Sequence, residues 1–206
     1  MRKMSEIKAR MMLMLFGWTS VAIIYGTTQF VGGSKWVIPE LWLDQQIPFN
    51  VQGVWLYLSF FLVIPFAFWK APFDRVKPMM LAISLSAIIS GVFFILFPST
   101  LNYPPVPDGG FSAQVFHLLL WIDTPQNCFP SLHAALTIIC LLGLWEIKKL
   151  IQNLLVLTAT LAILFSIIQL RRHLTLDLTA GILVGSLSYA IALIRKSRKY
   201  RQQVEI

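Results

Sequence analysis

The sequence predicts an all-α, polytopic membrane protein, a bundle of six transmembrane helices. Hydrophobic residues make up 57% of the 206 positions and charged residues only 13%, and the mean hydropathy is +0.71. Soluble domains contain about 45–50% apolar and about 25% charged residues, so lipid is the expected solvent for much of the surface. The length allows a single integral membrane domain, residues 1–206.

Six apolar stretches are predicted to cross the membrane. A helical span needs about 20 apolar residues, and these stretches are separated by short polar or basic segments. Their approximate limits are 11–31, 53–69, 79–98, 131–145, 151–170 and 176–194. The fourth stretch is short, so it could instead be a buried helix that does not fully span the membrane.

The positions of Lys and Arg predict the orientation. If the N-terminus is cytoplasmic, fourteen of the seventeen basic residues lie in cytoplasmic segments, and only Lys35, Arg171 and Arg172 lie outside. This bias is typical of polytopic proteins, and it needs an even number of spans. Because the basic residues form short clusters between apolar stretches, the net charge of +8 does not indicate nucleic-acid binding. No A-x-A-like cleavage site follows the basic N-terminal stretch, which therefore predicts a retained first helix.

Two outer segments join the spans. The first, Gly32 to Gln52, mixes aromatic residues with Pro and Gly and predicts an ordered loop at the membrane interface. The second, Pro98 to Pro130, is the longest loop, and long loops in compact proteins are often functional. Within it we assign structural roles to His117 and Asp123. In the last span Gly181 and Gly185 form a small-x-x-x-small pair, which predicts close helix packing.

The first group of candidate catalytic residues runs from Asn127 to His133, on the predicted outer side. Pro130 and Ser131 indicate the start of a helix, with Ser131 as its cap. The open N–H groups of a helix N-terminus attract an anion. His133 would lie in the first turn beside a bound phosphate, where an imidazole can give a proton to a leaving oxygen.

The second group runs from Arg171 to Asp177, also on the outer side. His173 and Asp177 are four residues apart and share one face if the stretch is helical. A carboxylate on one imidazole nitrogen leaves the other nitrogen as a nucleophile or base. Arg171 and Arg172 suit bidentate phosphate binding. One span inward and one span outward separate the two groups, so they can meet at one surface.

These residues resemble the motifs of a known family. Pro130-Ser131-Leu132-His133 is similar to the second motif of the type 2 phosphatidic acid phosphatase superfamily, and His173 with Asp177 is similar to the H-x-x-x-D of its third motif. Further stretches resemble the branch that includes inositol phosphorylceramide synthases and many bacterial homologues: Leu43-Asp44, Ile47-Pro48-Phe49, Phe97-Pro98-Ser99 and the segment from Asp123 to His133.

The resemblance implies a six-helix bundle and a role for each matching residue. His173 would be the nucleophile, Asp177 would orient it, and His133 would protonate the leaving alcohol. Ser131 and nearby backbone N–H groups would hold phosphate oxygens. The further candidates for phosphate binding are Asn127, Arg171, Arg172 and Tyr103. The family needs no metal or other cofactor, and its partners are a lipid phosphate substrate and membrane lipids.

The chain departs from the family pattern at two motifs. Ile167 replaces the Arg that often follows the Ser at position 166, and Arg171 or Arg172 could compensate. Lys70 to Lys77-Pro78 fits the spacing of the first motif, but it lies on the predicted cytoplasmic side and is interpreted as a chance match. After the third span, where that motif belongs, Tyr103 offers one hydrogen bond and no charge. Fewer cations stabilise a dianionic transition state less, which favours diester chemistry or head-group transfer.

Three functions are compatible with these residues. The leading hypothesis is a membrane lipid phosphatase that hydrolyses a lipid phosphate or pyrophosphate ester at the extracytoplasmic face through a phosphohistidine. The first alternative is a transferase that moves a phospho-head group to a lipid or sugar alcohol. The second is a non-catalytic lipid-binding or transport protein. The compact length suits a bacterial inner membrane, with both termini cytoplasmic. Neither the lipid nor the oligomeric state can be read from the sequence.

Overall fold

A computed structural model describes residues 2–30, 35–107, 109–123 and 126–204. All six predicted spans are helical, and the all-α polytopic architecture is confirmed. Gly32 and Pro125, from the two outer segments, lie outside the described residues, as does the predicted end of the first span at residue 31.

The helices follow the predicted spans closely and add three short elements. They are α1 (Arg2–Thr28), α2 (Trp42–Gln46), α3 (Val54–Leu58), α4 (Phe60–Lys70), α5 (Phe73–Leu96), α6 (Phe111–Ile122), α7 (Leu132–Leu144), α8 (Leu150–Gln169) and α9 (Thr175–Val204). A 3-10 turn, Val51–Gly53, leads into α3, and Ser59 alone separates α3 from α4.

The ends of α1, α5 and α9 extend beyond the predicted limits. The helix α1 begins at Arg2 instead of residue 11, α5 at Phe73 instead of 79, and α9 continues to Val204 instead of ending at 194. Hydropathy detects only the apolar part of a helix. Lys, Arg, Glu and Gln are good helix formers, so each helix continues into the polar flank.

Five segments are long and apolar enough to cross a membrane, by length and composition, within the described part of the chain. They are Met4–Thr28, Val51–Lys70, Phe73–Leu96, Leu150–Gln169 and Thr175–Gln202. The fourth predicted span, α7, has only 13 residues, or about 20 Å of helix. It is nevertheless a pass of the bundle. The N–H of Ser131, just before α7, donates to the carbonyl of Asp177 at the start of α9. At the other end of α7, Arg75 in the first turn of α5 donates to the carbonyls of Gly143 and Trp145.

The bundle has two chemically different ends. We call the end that holds His133 and His173 the histidine end. At the other, basic end, Lys196 of α9 donates to Asp74 of α5 at 2.6 Å. Arg10 of α1 also donates there, to the carbonyl that ends α4 (Ala71, 2.9 Å). The described passes therefore alternate between the two ends, as predicted from the basic residues.

The short helix α7 lies at the centre of the bundle and packs closely on α9. A methyl group added at Gly185 would come within 2.5 Å of the Ala135 carbonyl oxygen, and one at Gly181 would overlap the Ser131 carbonyl. The predicted close packing at these glycines is confirmed. Elsewhere large apolar side chains face outward, for example Leu62 at 73% exposure, as expected for a surface in lipid.

The outer segments are joined by a small parallel sheet. Strand β1 (Trp36–Val37) pairs with β2 (Ser99–Thr100), with Trp36 opposite Ser99. The Ser99 hydroxyl accepts the Phe129 N–H at 2.9 Å. This network fastens the first outer segment to the chain that leads into α7. Strands of two residues have no detectable period, so the sequence did not predict them.

Candidate active site

The start of α7 is held in place from both sides. The Ser131 side chain caps the helix by accepting the Ala134 N–H at 3.3 Å, so the predicted cap is confirmed. The Ser131 N–H donates to the Asp177 carbonyl at 3.0 Å, and Gly181 lets the two backbones touch. His133, in the first turn of α7, is therefore fixed relative to the first turn of α9.

His173 lies two residues before α9 and contacts the carboxylate of Asp177, which is in the first turn of that helix. Its Nδ1 is 2.5 Å from Asp177 Oδ2 and 3.1 Å from the Cys128 carbonyl. The other Asp177 oxygen accepts the Leu174 N–H at 2.7 Å, which fixes the carboxylate. With Nδ1 occupied in this way, Nε2 is the ring nitrogen that points away from Asp177. It faces Nδ1 of His133 at 3.3 Å.

The second nitrogen of His133 meets a group that the sequence did not indicate. Its Nε2 lies 2.8 Å from the hydroxyl of Tyr57 in α3. That hydroxyl donates to Asp123 Oδ2 at 3.2 Å, and Tyr25 of α1 donates to Asp123 Oδ1 at 2.7 Å. The carboxylate of Asp123 thus joins three elements of the histidine end. The Tyr57 hydroxyl lies between this carboxylate and His133.

Asp123 also forms the buried ion pair of the site. Arg172 Nε donates to its carboxylate at 2.9 Å and a terminal nitrogen of Arg172 donates to its carbonyl at 2.6 Å. The side chains are only 2% and 12% exposed. Burial by itself raises the pKa of the Asp123 carboxyl. The charge of Arg172, the nearby histidines and the Tyr25 hydrogen bond together have the larger effect and lower this pKa to about 2. Asp123 is therefore ionised at physiological pH.

Tyr103 lies on the far side of this ion pair. The Arg172 guanidinium stacks over its ring at 5.1 Å, and its hydroxyl lies 3.4 Å from the sulfur of Cys128. Burial raises the pKa of the Cys128 thiol to about 12. Because only the thiolate is a strong nucleophile, this pKa argues against Cys128 as an attacking group.

Two predicted phosphate ligands direct their side chains to partners outside the histidine cluster. Arg171 donates to the carbonyls of Asp44 and Ile47 at 2.8 and 2.9 Å. Asn127 donates to Thr28 Oγ1 at 2.9 Å, at the end of α1. Both side chains fasten outer segments. The structure thus brings five of the predicted site residues into one cluster, with Ser131 at its base: His133, His173, Asp177, Arg172 and Tyr103. Arg171 and Asn127 direct their side chains elsewhere, and phosphate binding by any of the candidate residues stays a prediction.

Asp44 was overlooked as a positioning residue. It is fully buried, and its Oδ1 accepts both the N–H and the hydroxyl of Thr175, at 2.8 and 2.7 Å. Its Oδ2 accepts the Leu41 N–H at 2.8 Å. Asp44 therefore anchors the start of α9, two residues from Asp177. The available signal was an acidic residue inside an apolar segment that also contains Glu40.

Two largely apolar cavities flank the cluster. The larger, about 320 Å³, lies between α1, α3–α4, α6 and α7. His133, Asp123, Tyr57 and Tyr25 line its polar part. The second cavity, about 240 Å³, is bordered by Arg172, Tyr103 and mainly apolar neighbours. The Asp123–Arg172 pair therefore separates the two. Among the described residues no three His, Cys, Asp or Glu side chains are grouped so as to hold a metal ion.

The helical bundle and the His133–His173–Asp177 cluster define a polytopic membrane protein with a paired-histidine site at one end. The sequence profile of the PAP2 superfamily matches residues 27–191, about four fifths of the chain. The chain belongs to the PAP2 superfamily. Comparisons with curated proteins and with solved structures gave no match. Membership supports phosphatase or phosphotransferase chemistry on lipid phosphates.

Proposed function

We propose that this protein is a metal-independent lipid phosphatase that hydrolyses a lipid phosphate or pyrophosphate ester at the extracytoplasmic face through a phosphohistidine at His173. One observation carries the proposal. His173 Nδ1 is bound to Asp177, so that Nε2 faces His133 across 3.3 Å. His133 in turn borders an apolar cavity that suits a lipid chain.

In the first step Nε2 of His173 attacks phosphorus and the bond from phosphorus to the lipid oxygen breaks. Asp177 stabilises the positive charge that develops on the imidazole. His133 gives its proton to the leaving lipid alkoxide. The substrate phosphate must separate the two rings, so we expect the distance between them to increase when substrate binds.

In the second step water attacks the phosphohistidine. His133, now deprotonated, takes the proton from that water, the phosphorus–nitrogen bond breaks, and its electron pair returns to His173. Phosphate oxygens would be held by the Ser131 hydroxyl and the N–H groups at the start of α7. Arg172 supplies the cation of the site.

The transferase alternative rests on the second cavity and on the charge of the site. A lipid or sugar alcohol bound beside Arg172 and Tyr103 would reach the ion pair from the side opposite the larger cavity. Asp123 neutralises much of the Arg172 charge, so a phosphate dianion is less well stabilised than a diester monoanion. In this reaction the alcohol replaces water in the second step.

The test uses the purified protein in detergent with EDTA. Dioleoyl phosphatidate and a prenyl pyrophosphate serve as substrates, with and without ceramide or inositol as acceptor, and products are followed by mass spectrometry. Free phosphate together with the dephosphorylated lipid would support the phosphatase. A new phosphodiester without free phosphate would support the transferase.

His173→Ala is the decisive variant, and His117→Ala is its matched control. His117 is exposed on α6 and contributes nothing to the cluster, so its replacement should leave turnover unchanged. His173→Ala should lower turnover by several orders of magnitude, because it removes the proposed nucleophile. Equal product profiles for wild type and His173→Ala would reject the proposed function and favour a lipid-binding or transport protein.

The face of the membrane can be tested by cysteine labelling of whole cells. Both natural cysteines are buried and should give little background. Glu40, at the histidine end, and Lys148, at the basic end, are exposed. Glu40→Cys should react with a membrane-impermeant maleimide on intact cells, whereas Lys148→Cys should react only after lysis. The reverse pattern would place the site on the cytoplasmic face.

A further inference from the structure

Four consecutive side-chain contacts link two carboxylates through the paired histidines. The Tyr57 hydroxyl lies 3.2 Å from Asp123 Oδ2 and 2.8 Å from His133 Nε2. His133 Nδ1 then faces His173 Nε2 at 3.3 Å, and His173 Nδ1 reaches Asp177 at 2.5 Å. The half from His173 to Asp177 belongs to the proposed nucleophile. In that proposal His133 is the acid, whereas Tyr57 and Asp123, which reach it from the other side, have no role.

Counting protons shows what this chain of contacts needs. An ionised carboxylate only accepts, a tyrosine hydroxyl brings one proton, and a neutral imidazole brings one. Tyr57, neutral His133 and neutral His173 therefore provide three protons for four contacts. All four become hydrogen bonds only with one more proton, on His133 Nδ1 or on His173 Nε2, which face each other. In the proposed reaction His173 Nε2 attacks with its lone pair and so carries no proton, which assigns the extra proton to His133. Tyr57 then accepts from His133 and donates to Asp123.

We infer that Tyr57 and Asp123 are positioning residues for His133, which hold it as the doubly protonated acid with its Nδ1–H aimed at the reacting centre. The inference rests on the proposed function. It assigns the general acid its own tyrosine–carboxylate pair, separate from the Asp177 carboxylate that serves the nucleophile.

Burial opposes a charged imidazole, and the two carboxylates act in the opposite direction. Asp123 is an ionised carboxylate one hydroxyl away, and Asp177 lies beyond His173 at the other end. The Tyr57 side chain is fully buried, so water does not compete for its hydroxyl. Arg172 and Tyr25 hold the two Asp123 oxygens and so fix the direction of the carboxylate.

Tyr57→Phe is the informative variant, because it removes one hydroxyl and keeps the packed ring. Two substrates separate a role in acid catalysis from a general structural role. Dodecyl phosphate releases an alkoxide that must be protonated, whereas p-nitrophenyl phosphate releases a stable phenolate that needs no proton. We expect Tyr57→Phe to lower kcat for dodecyl phosphate by on the order of 10- to 100-fold, within the usual range for acid catalysis. For p-nitrophenyl phosphate the loss should be under about 3-fold, with little change in KM for either substrate.

Three variants provide controls. Tyr25→Phe removes the other tyrosine hydroxyl from the same carboxylate without touching His133, so we expect a smaller and substrate-independent loss. Tyr189→Phe, a buried tyrosine of α9 outside the cluster, should match wild type. His133→Gln should show the same substrate dependence as Tyr57→Phe, but with a larger loss on dodecyl phosphate.

A second measurement does not need turnover. NMR of the histidine ring nitrogens, with His133 assigned from the His133→Gln spectrum, should show both nitrogens protonated in wild type and a neutral ring in Tyr57→Phe. Equal losses on both esters, or a neutral His133 in the wild-type spectrum, would overturn the inference. If wild type hydrolyses neither ester, the spectrum alone decides the inference, and the proposed function is still decided by phosphatidate and the prenyl pyrophosphate.

Discussion

Replacing Asp123 by alanine removes the carboxylate from a buried guanidinium. Arg172 is 2% exposed and its partner 12% exposed, and breaking such a pair from one side costs about 3–5 kcal/mol. The backbone carbonyl of residue 123 and the Tyr103 ring remain as partners of Arg172, so we expect the lower end, about 3 kcal/mol. In a chain of this size that corresponds to a decrease in Tm of roughly 6–12 °C.

The pKa of Asp123 leads to a similar magnitude. Its decrease from 3.8 to about 2 corresponds to about 2 kcal/mol at 1.36 kcal/mol per pH unit. Because the pKa is lower in the folded state, this stabilisation is present above about pH 4 and is lost as the pH falls towards about 2. Wild type should therefore lose stability in that interval, and Asp123→Asn should lose less.

The assay is thermal unfolding in detergent, with Asp74→Ala as the control. The Lys196–Asp74 pair is exposed on both sides, at 42% and 65%, so its loss should cost less than about 1 kcal/mol. Adding Arg172→Met to Asp123→Ala should recover part of the loss, because the unpaired charge disappears. The reasoning is refuted if Asp123→Ala is no worse than Asp74→Ala, or if the double variant is less stable than the single one.

Three further predictions concern the packing around the site. The methyl group of Gly181→Ala should overlap the Ser131 carbonyl, destabilise the protein by about 1–3 kcal/mol and lower activity. Gly26→Ala, with nothing within 4 Å of the added methyl group, should not destabilise the protein. Equal unfolding midpoints for these two variants would contradict the prediction. Asp44→Ala removes two carboxylate oxygens that accept three hydrogen bonds, two of them from Thr175 at the start of α9. It should cost about 2–4 kcal/mol in the same unfolding assay. A midpoint like that of wild type would show that Asp44 does not anchor α9. Ala22→Phe adds bulk to the larger cavity and should reduce kcat/KM for a long-chain lipid phosphate about 10-fold more than for a short-chain one; equal reductions would show that the cavity does not hold the lipid chain.

The helices could be predicted because hydropathy is a local property. An apolar stretch must satisfy its backbone hydrogen bonds internally in lipid, so each such stretch becomes a helix whatever its neighbours are. The interruption at Ser59 and the two-residue strands could not be predicted. The strands depend on contacts between segments that are far apart in the chain, such as Trp36 with Ser99.

The candidate site was predictable where its residues are close in sequence. Ser131 with His133, and His173 with Asp177, form patterns within a few positions. Asp123 was assigned a structural role, and Tyr57 was not noticed within an apolar span. Their contact joins positions 66 residues apart, and Asp123 meets Arg172 across 49 residues. Such pairs follow from helix packing alone.

The sequence by itself determined the membrane helices, their alternation between two ends and the presence of both histidines at one end, because hydropathy, charge bias and short motifs are local. Only the tertiary structure decided which arginine joins the histidines. Arg171 and Arg172 are adjacent and chemically equivalent in sequence. The left-handed backbone of Arg171 after α8, φ 52°, sends neighbouring side chains in different directions. Arg171 therefore binds the α2 segment, and Arg172 pairs with Asp123.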